Sequence, residues 1–186
     1  MPIIAKTSFT KRLLLATACT LLSMGSPAFS STDFTGTWAL DLGASRPLDA
    51  IFKRLGVSWI ERRFGDSVPL QATYTQTPRL VTIKLRGLGF RRTDIMRIDN
   101  KPESKEDSPF GRYTMRTFWS GDETQLVSAI SLRTKDSRDG QMTIVRELTN
   151  GGKTLILSGT LTITGESNSW TLWRVWRKQI SQVPTY

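Results

Sequence analysis

From residue 69 onward the chain never keeps one direction for long. Short stretches alternate apolar and polar residues with a period of two, and each ends in turn chemistry: "PLQATYTQT" (69–77), "LVTIKLRG" (80–87), "FRRTDIMRI" (90–98), a short one near 101–106, "GRYTMRTFW" (111–119), "QLVSAISLR" (125–133), "QMTIVRELT" (141–149), "KTLILSGTLTIT" (153–164) and "SWTLWRVWRKQ" (169–179). A two-residue period places alternate side chains on opposite faces, the pattern of a strand with one buried face. The separators "TPR", "GLG", "KPESKEDSPFG", "SGDET", "KDSRDG", "NGG" and "GESN" are rich in residues that turn the chain. With "FTGTWALDLG" (34–43) this makes ten strands in hairpin order. Such a meander exposes two long edges unless it curls on itself. The expectation is an all-β protein, a ten-stranded antiparallel up-and-down barrel lined by alternate residues.

One interruption has a different period. In "SRPLDAIFKRLG" (45–56) Leu48, Ile51, Phe52 and Leu55 fall at helical spacing, with Ser45 placed to cap, Pro47 in the first turn and Gly56 as a stop. "SWIERRFG" (58–65) repeats the device, with Ser58 and Glu61 at capping-box spacing and Gly65 as its end. The spacing predicts a helix-turn-helix lid after the first strand.

The N-terminus belongs to neither pattern. Lys6, Lys11 and Arg12 precede the apolar run "LLLATACTLLSM" (13–24), and "GSPAFS" follows with Ala28 and Ser30 placed for cleavage. This layout reads as a signal peptide over residues 1–30, with residues 31–186 as the barrel domain, exported to the periplasm or secreted. Cys19, the single cysteine, lies in the apolar run and could alternatively accept a lipid. A domain over 31–186 then has no thiol chemistry and no disulfide.

Composition narrows the chemistry further. The chain has no histidine, which rules out a Ser-His-Asp triad, a histidine base and histidine metal ligands. No catalytic residue, metal site or cofactor is expected. A formal charge of +10 favours acidic partners, or is a basic solvated surface and no more. No nucleic-acid signature accompanies it, and nucleic acid is not expected as a partner.

An anomaly lies in "GQMTIVRELTN" (140–150). Met142, Ile144, Arg146 and Leu148 share one face, so an arginine interrupts an apolar row. Leu172, Arg174 and Trp176 repeat the arrangement in the last strand. A guanidinium turned into an apolar interior needs an acceptor, because stranding its charge costs about 3–5 kcal/mol. Either an anionic guest supplies that acceptor in bidentate geometry, or each arginine pairs with a carboxylate of the chain. Asp94 and Glu147 are the nearest candidates, although Glu147 faces out by parity. Trp38 reads as core at the closed end of the barrel, beneath an arginine of the last strand, and Trp59 as a lid or membrane-facing residue.

The order of these features resembles the intracellular lipid-binding proteins, the fatty-acid-binding and cellular retinoid-binding group of the calycins. "FTGTW" (34–38) is similar to the family's opening, "PLDAIFKRLGVSWIERRFG" to its helix pair, "FRRTDIMRIDN" (90–100) and "GRYTMRTFW" to its middle strands, "VRELTNGGKTLIL" (145–157) to its R-E-L hairpin, and "RVWRK" (174–178) to its closing R-V-Y-x-K. The resemblance runs from about 34 to 178. It implies a single enclosed fatty acid or related amphipathic anion, its carboxylate held by Arg146 and Arg174 and flanked by Trp176, with Met115, Met142, Ile144 and Phe52 along the tail. Trp176 departs from the family's tyrosine, because indole donates a hydrogen bond but has no hydroxyl. The last hairpin is longer than the family's, the acidic segment of the family appears only as "IDNKPESKED", and the family is usually cytosolic.

The resulting expectation is a monomeric carrier that performs no chemistry. Lys53, Arg54, Arg62 and Arg63 on its lid could make transient contact with an anionic membrane. The alternative is a lipocalin-like exported barrel with a structural or interaction role and no lipid.

Overall fold

The computed structural model describes residues 31–107 and 111–179. The segment read as a signal peptide, with Cys19, lies outside the described residues, as does the tail "ISQVPTY". Ten strands form: β1 Gly36–Asp41, β2 Gln71–Thr77, β3 Leu80–Gly87, β4 Phe90–Arg97, β5 Glu103–Asp107, β6 Gly111–Trp119, β7 Gln125–Arg133, β8 Asp139–Thr149, β9 Thr154–Ile163 and β10 Ser169–Lys178. Helices α1 (Asp49–Arg54) and α2 (Trp59–Ser67) lie between β1 and β2. All ten strands belong to one antiparallel sheet ordered β4-β3-β2-β1-β10-β9-β8-β7-β6-β5, with β1 joined to β10. The β8–β9 turn has Asn150, Gly151 and Gly152 all at positive φ, the conformation "TNGGK" is composed to adopt.

The sheet curls, but β4 and β5 do not pair as a ladder, so the expected closure by strand pairing is replaced by side chains and one backbone link, in which Ile98 bridges to Thr117 and Asn100 N donates to the Thr117 carbonyl. Lys105 Nζ of β5 donates to the Ile95 carbonyl of β4, and Arg97 pairs with Glu103 at 3.1 Å. The break follows from composition: β5 is "ESKED", charged on both faces.

Two apolar clusters fill the interior. One contains Phe34, Trp38, Tyr74, Val81, Met96, Met115, Leu126, Leu155 and Trp176. The other joins Leu48, Ile51 and Leu55 of the first helical segment, with Val57, to Leu161, Ile163 and Leu172 of the sheet. Each such side chain contributes about 1.5–3 kcal/mol when buried, so the helical stripe read from the sequence is what seats the helix pair. Trp38 is fully buried as expected, but the cation over its ring is Lys178, at 5.4 Å, rather than an arginine.

The helix ends differ from expectation. α1 begins at Asp49, and Ser45 does not cap it; Ser45 Oγ instead donates to the Asp41 carbonyl and accepts from Val175 N. The free N–H groups at the start of α1 are met by Asp66 of α2: Leu48 N donates to Oδ1 at 2.6 Å and Asp49 N to Oδ2 at 3.2 Å. Gly56, at φ +82°, ends the first helix as expected, while α2 continues past Gly65 to Ser67.

Candidate functional site

Strand register sets the site. Arg146 of β8 pairs with Leu157 of β9, which pairs with Arg174 of β10, so both arginines lie on one row across the inner face. Trp176 is two residues farther along β10, opposite Leu155 and Leu40. Arg146, Arg174 and Trp176 are 7%, 5% and 5% exposed. Their environments are nevertheless unlike.

Arg174 is met by the chain itself. Its guanidinium lies 3.6 Å from Asp66 Oδ1 and donates to the carbonyls of Gly65 and Arg46, at 3.1 and 3.3 Å. Burial lowers its pKa from the usual arginine value, and the charge of Asp66 opposes that shift. Neither Asp94 nor Glu147 is its partner. Asp94 accepts from Arg92 Nε at 2.8 Å, and Glu147 accepts from Gln125. Arg174 thus fastens the end of α2 to the barrel, and the same Asp66 fastens the start of α1.

Arg146 has no carboxylate partner among the described residues. One terminal nitrogen donates to Ser128 Oγ at 3.0 Å, and that hydroxyl lies 3.2 Å from Thr117 Oγ1. The Tyr74 hydroxyl is also beside the guanidinium. Burial raises the Tyr74 pKa, an effect the adjacent Arg146 opposes and the Asp94 carboxylate adds to. Arg146 Nε is buried without a hydrogen-bond partner, and so is Trp176 Nε1. Buried donors are ordinarily satisfied, and an orphan costs about 1–3 kcal/mol.

The tail residues divide. Met115 belongs to the cluster that holds Trp176, whereas Phe52, Met142 and Ile144 pack against the helix-bearing cluster. Tyr74 and Ser128 were missed by the sequence reading. Tyr74 was discoverable: Ala72 and Tyr74 alternate on the buried face of β2, and a buried tyrosine usually needs a partner for its hydroxyl. Two open clefts of about 200 and 500 Å³ lie elsewhere on the sheet, and none of the seven expected ligand residues lines them.

Architecture and register together define the intracellular lipid-binding protein fold: a curled ten-stranded antiparallel sheet with a helix pair inserted after the first strand. No protein-family model matches the chain. It is similar to fatty acid-binding protein type 3 of Fasciola hepatica, 25% identical over 119 residues, which span 64% of this chain and 83% of that protein. The structure of a Schistosoma mansoni fatty acid binding protein in complex with arachidonic acid superposes with a TM-score of 0.58 at 20% identity, covering 79% of this chain and 96% of that one. Echinococcus granulosus fatty-acid-binding protein 1 superposes at 0.59 with 16% identity, covering 79% and 98%.

These likenesses correct the expected location. The fatty-acid-binding proteins that share the fold are intracellular, cytosolic proteins, so the periplasmic or secreted placement, and the signal and export assignments made with it, do not stand. They do not favour the lipocalin-like alternative.

Proposed function

We propose that the protein reversibly binds one fatty acid or similar amphipathic carboxylate inside the barrel, without chemistry. The observation that carries this reading is the pair of orphaned buried donors, Arg146 Nε and Trp176 Nε1, within a largely apolar core. A carboxylate there would accept from Arg146 Nε and the indole N–H, with the Tyr74 and Ser128 hydroxyls beside it. The named relatives, binding proteins for fatty acids, support the ligand class. Arg174, already engaged by Asp66, supports the site by holding the lid. Met115 would meet the near part of the tail, and Met142, Ile144 and Phe52 the part beneath the helices.

The lid carries Trp59 and Ile60 exposed beside the basic residues Lys53 and Arg63, a surface suited to brief contact with anionic bilayers during exchange. The deciding experiment is displacement of a fluorescent fatty-acid analogue by oleate. Wild-type protein should bind saturably, and Arg146→Leu should bind at least about tenfold more weakly while losing no stability, since removing a buried charge is often neutral or stabilising. Equal affinity of the two proteins would refute the role given to Arg146.

A further inference from the structure

The polar groups of the interior do not end at Arg146. Tyr74 pairs in register with Ile83, and Ile83 with Asp94, so Tyr74 and Asp94 share one row of the inner face. Asp94 has the same parity on β4 as Met96, a buried core residue. Register and parity therefore turn its carboxylate toward the face that carries Tyr74, and its charge adds to the upward shift of the Tyr74 pKa. One oxygen accepts from Arg92 at 2.8 Å, while Oδ2 accepts nothing among the described residues. The side chain is one-third exposed, open enough to be reached by a guest. Two strand spacings, about 10 Å, separate it from Tyr74 along the row.

An unbranched alkyl tail passing Asp94 would desolvate a carboxylate and return no hydrogen bond. A tail carrying a hydroxyl at that height would donate to it. An ionised carboxylate only accepts, so the matching group on the guest must be a donor. We infer that the preferred guest is a fatty acid hydroxylated in mid-chain, its carboxylate on Arg146 and its hydroxyl on Asp94. This rests on the binding reading above and names the ligand class within it. Asp94 is then the residue that sets specificity, and Arg92 orients it through the Nε contact.

The test is isothermal titration of the protein with stearate and a panel of its monohydroxy derivatives. At least one derivative hydroxylated in mid-chain should bind about tenfold more tightly than stearate, the increment expected of a hydrogen bond to a charged acceptor. Asp94→Leu should abolish that preference and raise stearate affinity, since the tail then no longer desolvates a carboxylate. Asp94→Asn, which keeps the volume and an acceptor oxygen, should retain part of it and serves should the leucine variant fold poorly. No derivative outdoing stearate, or a preference that survives in both variants, overturns the inference. Stearate binding that depends on Arg146 without a hydroxyl preference overturns this inference alone. Absence of all saturable binding overturns the carrier reading with it.

Discussion

Replacing Asp66 by alanine should do two kinds of damage at once. The carboxylate accepts from Leu48 N and Asp49 N, closing the start of α1, and faces the Arg174 guanidinium at 3.6 Å. Loss of a helix cap costs about 1 kcal/mol. Orphaning a buried charge costs about 3–5 kcal/mol when the pair is fully buried and close. Here the Asp66 side chain is 20% exposed, the separation is long for an ion pair, and two carbonyls still accept from Arg174. The pair should therefore contribute less than that range, about 2 kcal/mol. The sum is about 3 kcal/mol, or about 6–12 °C in Tm for a chain of this size. The assay is urea unfolding followed by tryptophan fluorescence on wild type, Asp66→Ala, Arg174→Met and the double variant. In Arg174→Met the guanidinium is gone and Asp66 keeps its capping role, so the cycle should return a coupling of at least about 1 kcal/mol. Additivity within about 0.5 kcal/mol would refute the claim that Asp66 holds Arg174. It would also return Arg174 to the list of groups free to hold a ligand.

Two other perturbations probe the frame. A Cβ at Gly159 would lie 2.5 Å from the Thr143 carbonyl oxygen, a contact backbone must move to relieve, so Gly159→Ala should destabilise by about 1–3 kcal/mol in the same urea titration. Glu166, in the β9–β10 turn, meets both Arg54 of α1 and Arg138 beyond β7; Glu166→Gln should cost about 1 kcal/mol and raise hydrogen exchange of the α1 amides above that of the β8–β9 ladder.

The strands were legible because each buries one face, and a period of two survives any tertiary context that keeps that face inward. The helix pair was legible for the same reason, as Leu48, Ile51 and Leu55 do become its buried stripe. What spacing could not reveal were partners brought from far along the chain. Asp66 and Arg174 are 108 positions apart and meet only because the helices fold back over β10, whereas Asp94 and Glu147 were considered for their nearness to the arginine of β8. Ser45 had the right residue type for a cap, but a carboxylate from α2 reached those amides and left the serine to join β1 to β10. Arg146 was legible as an anomaly because nothing local explains a cation in an apolar row. Its neighbour Tyr74 was not singled out, since its row is set by β2, two strands from β10 in the sheet order.

The seam between β4 and β5 is held by the Lys105 ammonium on a carbonyl and the Arg97–Glu103 pair. Elsewhere the wall is a continuous ladder whose girth cannot change without breaking backbone bonds in series. Along this one line the join rests on two flexible side-chain contacts, each cheap to break and remake in water, with one backbone bond, from Asn100 N to the Thr117 carbonyl, beside them. The wall is thus built like a split collar, its one weak line set apart from a ladder that stays whole.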